Sequence, residues 1–197
     1  MLDIRLYPDG WYLLMRGLGP KQQKILLLLM TLGTLSLTRS SRTYFHALKL
    51  ATAAWREIND RNIDQVIRGL YRSKLIDILD LPDGTTRMKL SEQGKTKVLF
   101  MQYESIRLHR LTRWDKKWRV VLFDIPEDKK GARDALRQKL TSLGFQELQK
   151  SVLIYPFPCR DELDFLIEYL GLRRYVRILE ATDIDVTPHL KKRFQLT

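Results

Sequence analysis

The spacing of apolar residues changes once along this chain. As far as about residue 102 they recur mainly at steps of three and four; from Trp118 onward short apolar runs alternate with helical stretches. After a poorly patterned opening (1–19), the run "ILLLLMTLGTLSL" (25–37) continues a segment begun by Pro20, a residue suited to a first helical turn, and predicts a buried helix. In "SRTYFHALKLATAAWREI", Phe45, Leu48, Ala51, Trp55 and Ile58 share one helical face. In "RNIDQVIRGLYRSKLI" (61–76), Ile63, Val66, Ile67, Leu70 and Tyr71 form an apolar stripe. The opposite face presents Gln65, Arg68, Gly69 and Arg72, with Arg61 at the N-terminal approach. The period then becomes two. "IDILDLPDGTTRMKL" (76–90) predicts a hairpin turning at Pro82-Asp83-Gly84, with Arg87 and Lys89 on one side of the return strand. "SEQGKTKVLF" (91–100) restarts a helix with Ser91 as its N-cap.

A basic connector, "YESIRLHRLTRWDKK" (103–117), leads into the second half. "KWRVVLFDIP" predicts a strand, and "KKGARDALRQKLTSLGF" a helix whose Ala132, Leu136, Leu140 and Leu143 face one way before Gly144 ends it. "QELQKSVLIYPF" (146–157) supplies one or two strands around Lys150-Ser151. "RDELDFLIEYLGL" is a helix with Leu163, Leu166, Ile167 and Leu170 aligned, and "RYVRILEA" is a closing strand. The order β-α-β-β-α-β is the split βαβ, or ferredoxin-like, arrangement. Both helices should then lie on one face of an antiparallel sheet, leaving the other face to water. Yet Val120 and Leu122 point one way while Val121 and Phe123 point the other, so both faces are apolar. A second copy of the sheet is the expected cover, which predicts a homodimer through the C-terminal domain.

Charge changes the picture of the first half. The chain carries 35 Lys+Arg against 23 Asp+Glu, a net +12, which favours polyanionic partners. Up to residue 110 there are 18 basic and 10 acidic residues, beyond it 17 and 13, so the excess sits toward the N-terminus. Helices, a last one with a basic polar face, and then a cationic hairpin are the order of a winged helix-turn-helix. A helix fits the major groove of duplex DNA and only its outward face reaches base edges. Gln65, Arg68 and Arg72 are suited to that reading, Arg61 to its approach, and Arg87 and Lys89 to phosphates beside it. The competing reading is an ordinary solvated helix. The predicted architecture is therefore α+β: a winged helix-turn-helix DNA-binding domain (1–102), a linker (103–117) and a ferredoxin-like dimerisation domain (118–197).

Other chemistries find little support. The single cysteine, Cys159, precludes an internal disulfide and suits a reducing cytoplasm; it reads as a structural thiol. His46, His109 and His189 are too scattered for a Cys/His zinc site. The run 25–37 is shorter than the roughly 18 residues a membrane span needs, and no signal peptide is expected. Ser151 lacks a nucleophile-elbow frame. Trp114 and Trp118 flank the connector, where they could stack on bases or cover the sheet.

"KWRVVLFDIPEDKKGARDALRQKLTSLGFQELQKSVLIYPFPCRDELDFLIEYLGL" resembles the central domain of the PaaX family of transcriptional repressors, carried by "FDIPE", "LQKSVLIYP" and the "DELDFL" helix. That domain is in turn similar to the small CRISPR-associated protein Cas-two, a metal-dependent nuclease and integration subunit. The resemblance implies a dimeric, cytoplasmic DNA-binding repressor with an acyl-CoA effector and no cofactor required for DNA binding. The Cas-two likeness implies instead that Asp124, at the end of the first strand, helps hold Mg²⁺ in an endonuclease or CRISPR-adaptation component. Asp124 could equally cap the turn that follows or sit at a dimer interface. An architectural DNA binder with little sequence preference is the third reading.

Overall fold

The computed structural model describes residues 18–35, 63–84, 86–109 and 113–196. The predicted helix around Phe45 to Ile58, and Arg61, lie outside those residues. The chain divides into two compact units that meet between Glu104 and Ser105. No helix among the described residues is long and apolar enough to cross a membrane.

The first unit opens with α1 (Pro20–Leu35), followed by α2 (Ile63–Arg72), an antiparallel hairpin of β1 (Ile76–Asp80) and β2 (Thr86–Leu90), and α3 (Glu92–Ser105). Its core gathers Ile25, Leu26 and Leu28 of α1 with Leu70, Leu75, Ile76, Leu90 and Val98. Leu27, within the leucine run, turns outward. The apolar pattern predicted helix to residue 76, but α2 stops at Arg72. There the Lys74 N–H donates to the Tyr71 carbonyl (2.9 Å) and the Leu75 N–H to the Leu70 carbonyl (3.0 Å). Those two bonds form a Schellman ending, with Lys74 in the left-handed conformation at φ +56° and the buried Leu70 and Leu75 as its apolar contact. Leu75 and Ile76 thus belong to the core as turn and strand residues. The hairpin turns where expected: the Gly84 N–H donates to the Leu81 carbonyl at 3.0 Å, and Gly84 sits at φ +79°.

The second unit is one four-stranded antiparallel sheet with helices. Its elements run β3 (Trp118–Phe123), a 3₁₀ turn (Glu127–Lys129), α4 (Lys130–Ser142), β4 (Gln146–Gln149), β5 (Val152–Tyr155), α5 (Arg160–Tyr169), β6 (Val176–Ala181) and α6 (Thr187–Phe194). The spatial order is β4-β5-β3-β6, which places β5 between the two strands of the first βαβ crossover. Lys150 and Ser151 make the turn between β4 and β5, and Gly144 ends α4 at φ +95°. The register places Val121 beside Leu153, and Phe123 beside Val176, on one face; all four are buried, as are Leu136 and Leu140 of α4 and Leu163, Leu166 and Ile167 of α5.

The opposite face is covered differently from the sequence-based expectation. Trp118, Val120 and Ile154 are buried beneath Leu190 of α6, with Trp114, Ile184 and Phe194 packed around them. The chain thus covers part of this face with its own C-terminal helix. Only Leu190 and Phe194, four residues apart, mark α6 as amphipathic in "TPHLKKRF", too few for a legible stripe. Burying Leu190 contributes about 1.5–3 kcal/mol to that packing. What remains is a strip of half-buried Leu122 and Val152 with Leu179, which is 44% exposed.

Candidate nucleic-acid interface

The outward face of α2 carries Gln65, Arg68 and Arg72, all exposed. Neither arginine forms an ion pair among the described residues. Tyr71 joins this face instead of completing the apolar stripe: its side chain is 54% exposed, three residues from Arg68 and next to Arg72. Sequence periodicity missed it because a residue eight positions beyond Ile63 falls at the edge of the stripe. Gly69 does not belong to the outward face, since a Cβ there would come within 3.0 Å of the Gln22 amide of α1.

The hairpin follows directly. Arg87 and Lys89 are exposed and lie on one face of β2, paired across the ladder with Leu79 and Asp77. Lys89 Nζ stands 3.8 Å from the Asp77 carboxylate; both are solvent-exposed, so the pair contributes little. Leu79, 56% exposed beside Arg87, is an apolar side chain on an otherwise charged surface. Arg61 lies outside the described residues.

Ser91 ties α2, the hairpin and α3 into one frame. Its Oγ accepts the Gly94 N–H at 2.9 Å, as an N-cap should, and donates to the Lys74 carbonyl at 2.6 Å. Its own N–H donates to the Leu75 carbonyl at 3.1 Å. Gly94 permits the approach: a Cβ there would sit 1.9 Å from the Leu75 carbonyl oxygen. Between the end of α2 and the start of α3 lies a cavity of about 570 Å³, lined by Tyr71, Arg72, Lys74, Ile76, Asp77, Ser91, Glu92 and Gln93. Within it Glu92 is held below the ordinary carboxylate range by the Lys95 ammonium, which donates to it at 2.6 Å.

In the second unit Asp124 follows β3, exposed, with its N–H donating to the Tyr175 carbonyl at 3.0 Å. It does not cap the 3₁₀ turn, which starts from Pro126 in extended conformation without a side-chain cap. Glu127 pairs instead with Arg133 at 3.0 Å. Among the described residues no group of three or more His, Cys, Asp or Glu is placed to hold a metal ion. Hard cations take several oxygen ligands, so the donor set that one chain gathers at Asp124 does not fit Mg²⁺.

Two further groups have structural roles. Arg119, buried in β3, donates to both carboxylate oxygens of Asp115 and to the carbonyls of Lys117 and Pro156, each at 2.9 Å. The Asp115 carboxyl is held below its ordinary range, chiefly by that hydrogen bond. Cys159 is buried, and burial pushes its thiol up to about 12, which removes it as a nucleophile at neutral pH. Trp118 is fully buried against Trp114, ring centroids 4.7 Å apart, so it covers the sheet and cannot stack on a base.

An α+β unit with a βαββαβ order and a further C-terminal helix follows a helix–hairpin–helix unit. Residues 111–193 of the chain match the family described as the PaaX protein central Cas2-like domain. The match takes in 83 of the 197 residues and spans the whole four-stranded sheet and most of α6. No curated protein matches the chain.

Proposed function

We propose that the protein is a dimeric DNA-binding transcriptional regulator of the PaaX type, acting as a repressor. The first unit serves as a winged helix-turn-helix and the Cas2-like unit as the dimerisation module. The observation that carries the proposal is the outward face of α2, where Gln65 stands exposed with Arg68 and Arg72, which form no ion pair among the described residues, directly before a hairpin bearing Arg87 and Lys89. Gln pairs bidentately with adenine and Arg with guanine, while the hairpin cations neutralise phosphates. Dimerisation draws on the strip of half-buried Leu122 and Val152 with exposed Leu179. A twofold pair of reading helices meets two half-sites, and an operator overlapping a promoter then blocks transcription sterically. The cytoplasm is the compartment this role requires. An acyl-CoA effector is part of the PaaX-type reading.

The test is selection from a random duplex library by the whole protein, alongside cleavage assays with Mg²⁺ and Mn²⁺. A regulator enriches one palindromic or tandem sequence and cleaves nothing. Enrichment of no sequence, with binding that only tracks salt, would make the protein an architectural binder. Metal-dependent cleavage abolished by Asp124→Ala would make it a nuclease.

A further inference from the structure

We infer that the groove between the end of α2 and the start of α3 seats a sugar–phosphate segment of nucleic acid, with Tyr71 as its stacking surface and Arg72 and Lys74 as its phosphate contacts. The inference deepens the DNA-binding proposal and rests on it. Tyr71 is where the argument starts. On a helix whose other apolar residues turn inward, an aromatic ring left 54% exposed, beside two arginines that form no ion pair among the described residues, offers a flat face to a sugar. The cavity of about 570 Å³ begins at that ring and has the buried Ile76 among its walls.

The walls carry two cations, Arg72 and Lys74, and two carboxylates, Asp77 and Glu92. The carboxylate of Asp77 faces Lys89 at 3.8 Å and that of Glu92 faces Lys95 at 2.6 Å, so each already has a cation. Arg72 and Lys74 have no ion pair among the described residues and remain available to a ligand's negative charge. Lys74 is also an unusual choice of residue. It occupies the left-handed position of the Schellman ending at φ +56°, where glycine is ordinary and a side chain costs about 1 kcal/mol. The chain carries a lysine there, and that residue lines the groove. Gln93 adds a neutral amide that can donate or accept. Two exposed cations would hold a small free anion weakly. A polyanionic strand that also runs past Arg68 engages all three together and releases counterions at each.

The experiment titrates the full chain against a short labelled duplex by fluorescence anisotropy over a range of salt. It compares the wild type with Tyr71→Ala, Tyr71→Phe, Lys74→Ala, Arg68→Ala and, on the other unit, the exposed Lys130→Ala. Denaturant midpoints confirm that each variant folds. Tyr71→Ala should weaken binding about tenfold while Tyr71→Phe keeps most of it. Lys74→Ala should lower the salt slope by about 0.9. Lys130→Ala should bind like the wild type. If Tyr71→Ala and Lys74→Ala bind with unchanged affinity and slope while Arg68→Ala is impaired, the groove is not a contact and the winged-helix reading stands without it. Equal weakening by Lys130→Ala would also overturn the inference, because it would reduce the effect to bulk charge. A wild type that binds no duplex removes the DNA-binding proposal and this inference together.

Discussion

The Ser91 hydroxyl and the Lys74 carbonyl stand 2.6 Å apart, joining the first turn of α3 to the last turn of α2. The same oxygen accepts the Gly94 N–H, so one side chain holds both helix ends at the base of the hairpin. Ser91→Ala should destabilise the first unit by about 1–2 kcal/mol, the range for a lost cap. Gly94→Ala should cost more, about 3 kcal/mol, because its methyl collides with backbone and not with a movable side chain. Both are read from the urea midpoint; an unchanged midpoint for Gly94→Ala would contradict the packing described.

Under the proposed function, DNA recognition would divide between two groups of residues. Arg68→Ala should relax the preference at one base position by about 1–3 kcal/mol. Arg87→Ala and Lys89→Ala should weaken all duplexes alike and lower the salt slope by about 0.9 apiece. Competition titrations against mutated operators distinguish the two patterns.

Leu190 anchors α6 on the sheet. Leu190→Ala should cost about 2–5 kcal/mol and expose the Trp118 surface, detected as a lower denaturant midpoint and new binding of a hydrophobic dye. Lys192→Ala, on the exposed side of the same helix, should do neither.

Acid should loosen the Asp115–Arg119 clamp. The folded carboxyl titrates below its unfolded value, so its contribution is complete above that unfolded value, near pH 4, and is lost as pH falls through the folded one. Asp115→Asn should therefore lower stability at neutral pH by about 1–2 kcal/mol, toward the lower part of the range for a hydrogen bond to a charged group because Asp115 is partly solvated. The same variant should flatten the acid limb of the stability profile below about pH 4. Midpoints measured across that range decide it.

Much of this was legible from spacing alone. The two-residue period of "IDILD" and "TRMKL", with Gly84 between them, announced the hairpin, and Ser91 announced the next helix. The βαββαβ order was readable because its helices carry full stripes such as Leu163, Leu166 and Ile167. The rest was not. The helix α2 stops four residues early because a Schellman ending can be made by Lys74, whose identity gives no such signal. The cover over Trp118 comes from α6, which offers only two apolar positions to a pattern search. Tyr71 and the groove beside it depend on which way a boundary residue turns, and periodicity does not resolve a fraction of a helical turn. Asp124 could be placed at a strand end from sequence, but that no group of three or more metal-holding side chains forms among the described residues needed three dimensions.

The tail folded over the sheet also constrains how two copies could meet. Leu190 and Phe194 take the end where β3 begins, so a twin seated on the partly open strip of Leu122, Val152 and Leu179 would sit off-centre, toward the end where β3 finishes. A symmetry axis passing there would draw two Asp124 carboxylates toward each other, and their mutual repulsion would make pairing of the copies sensitive to cations in the buffer.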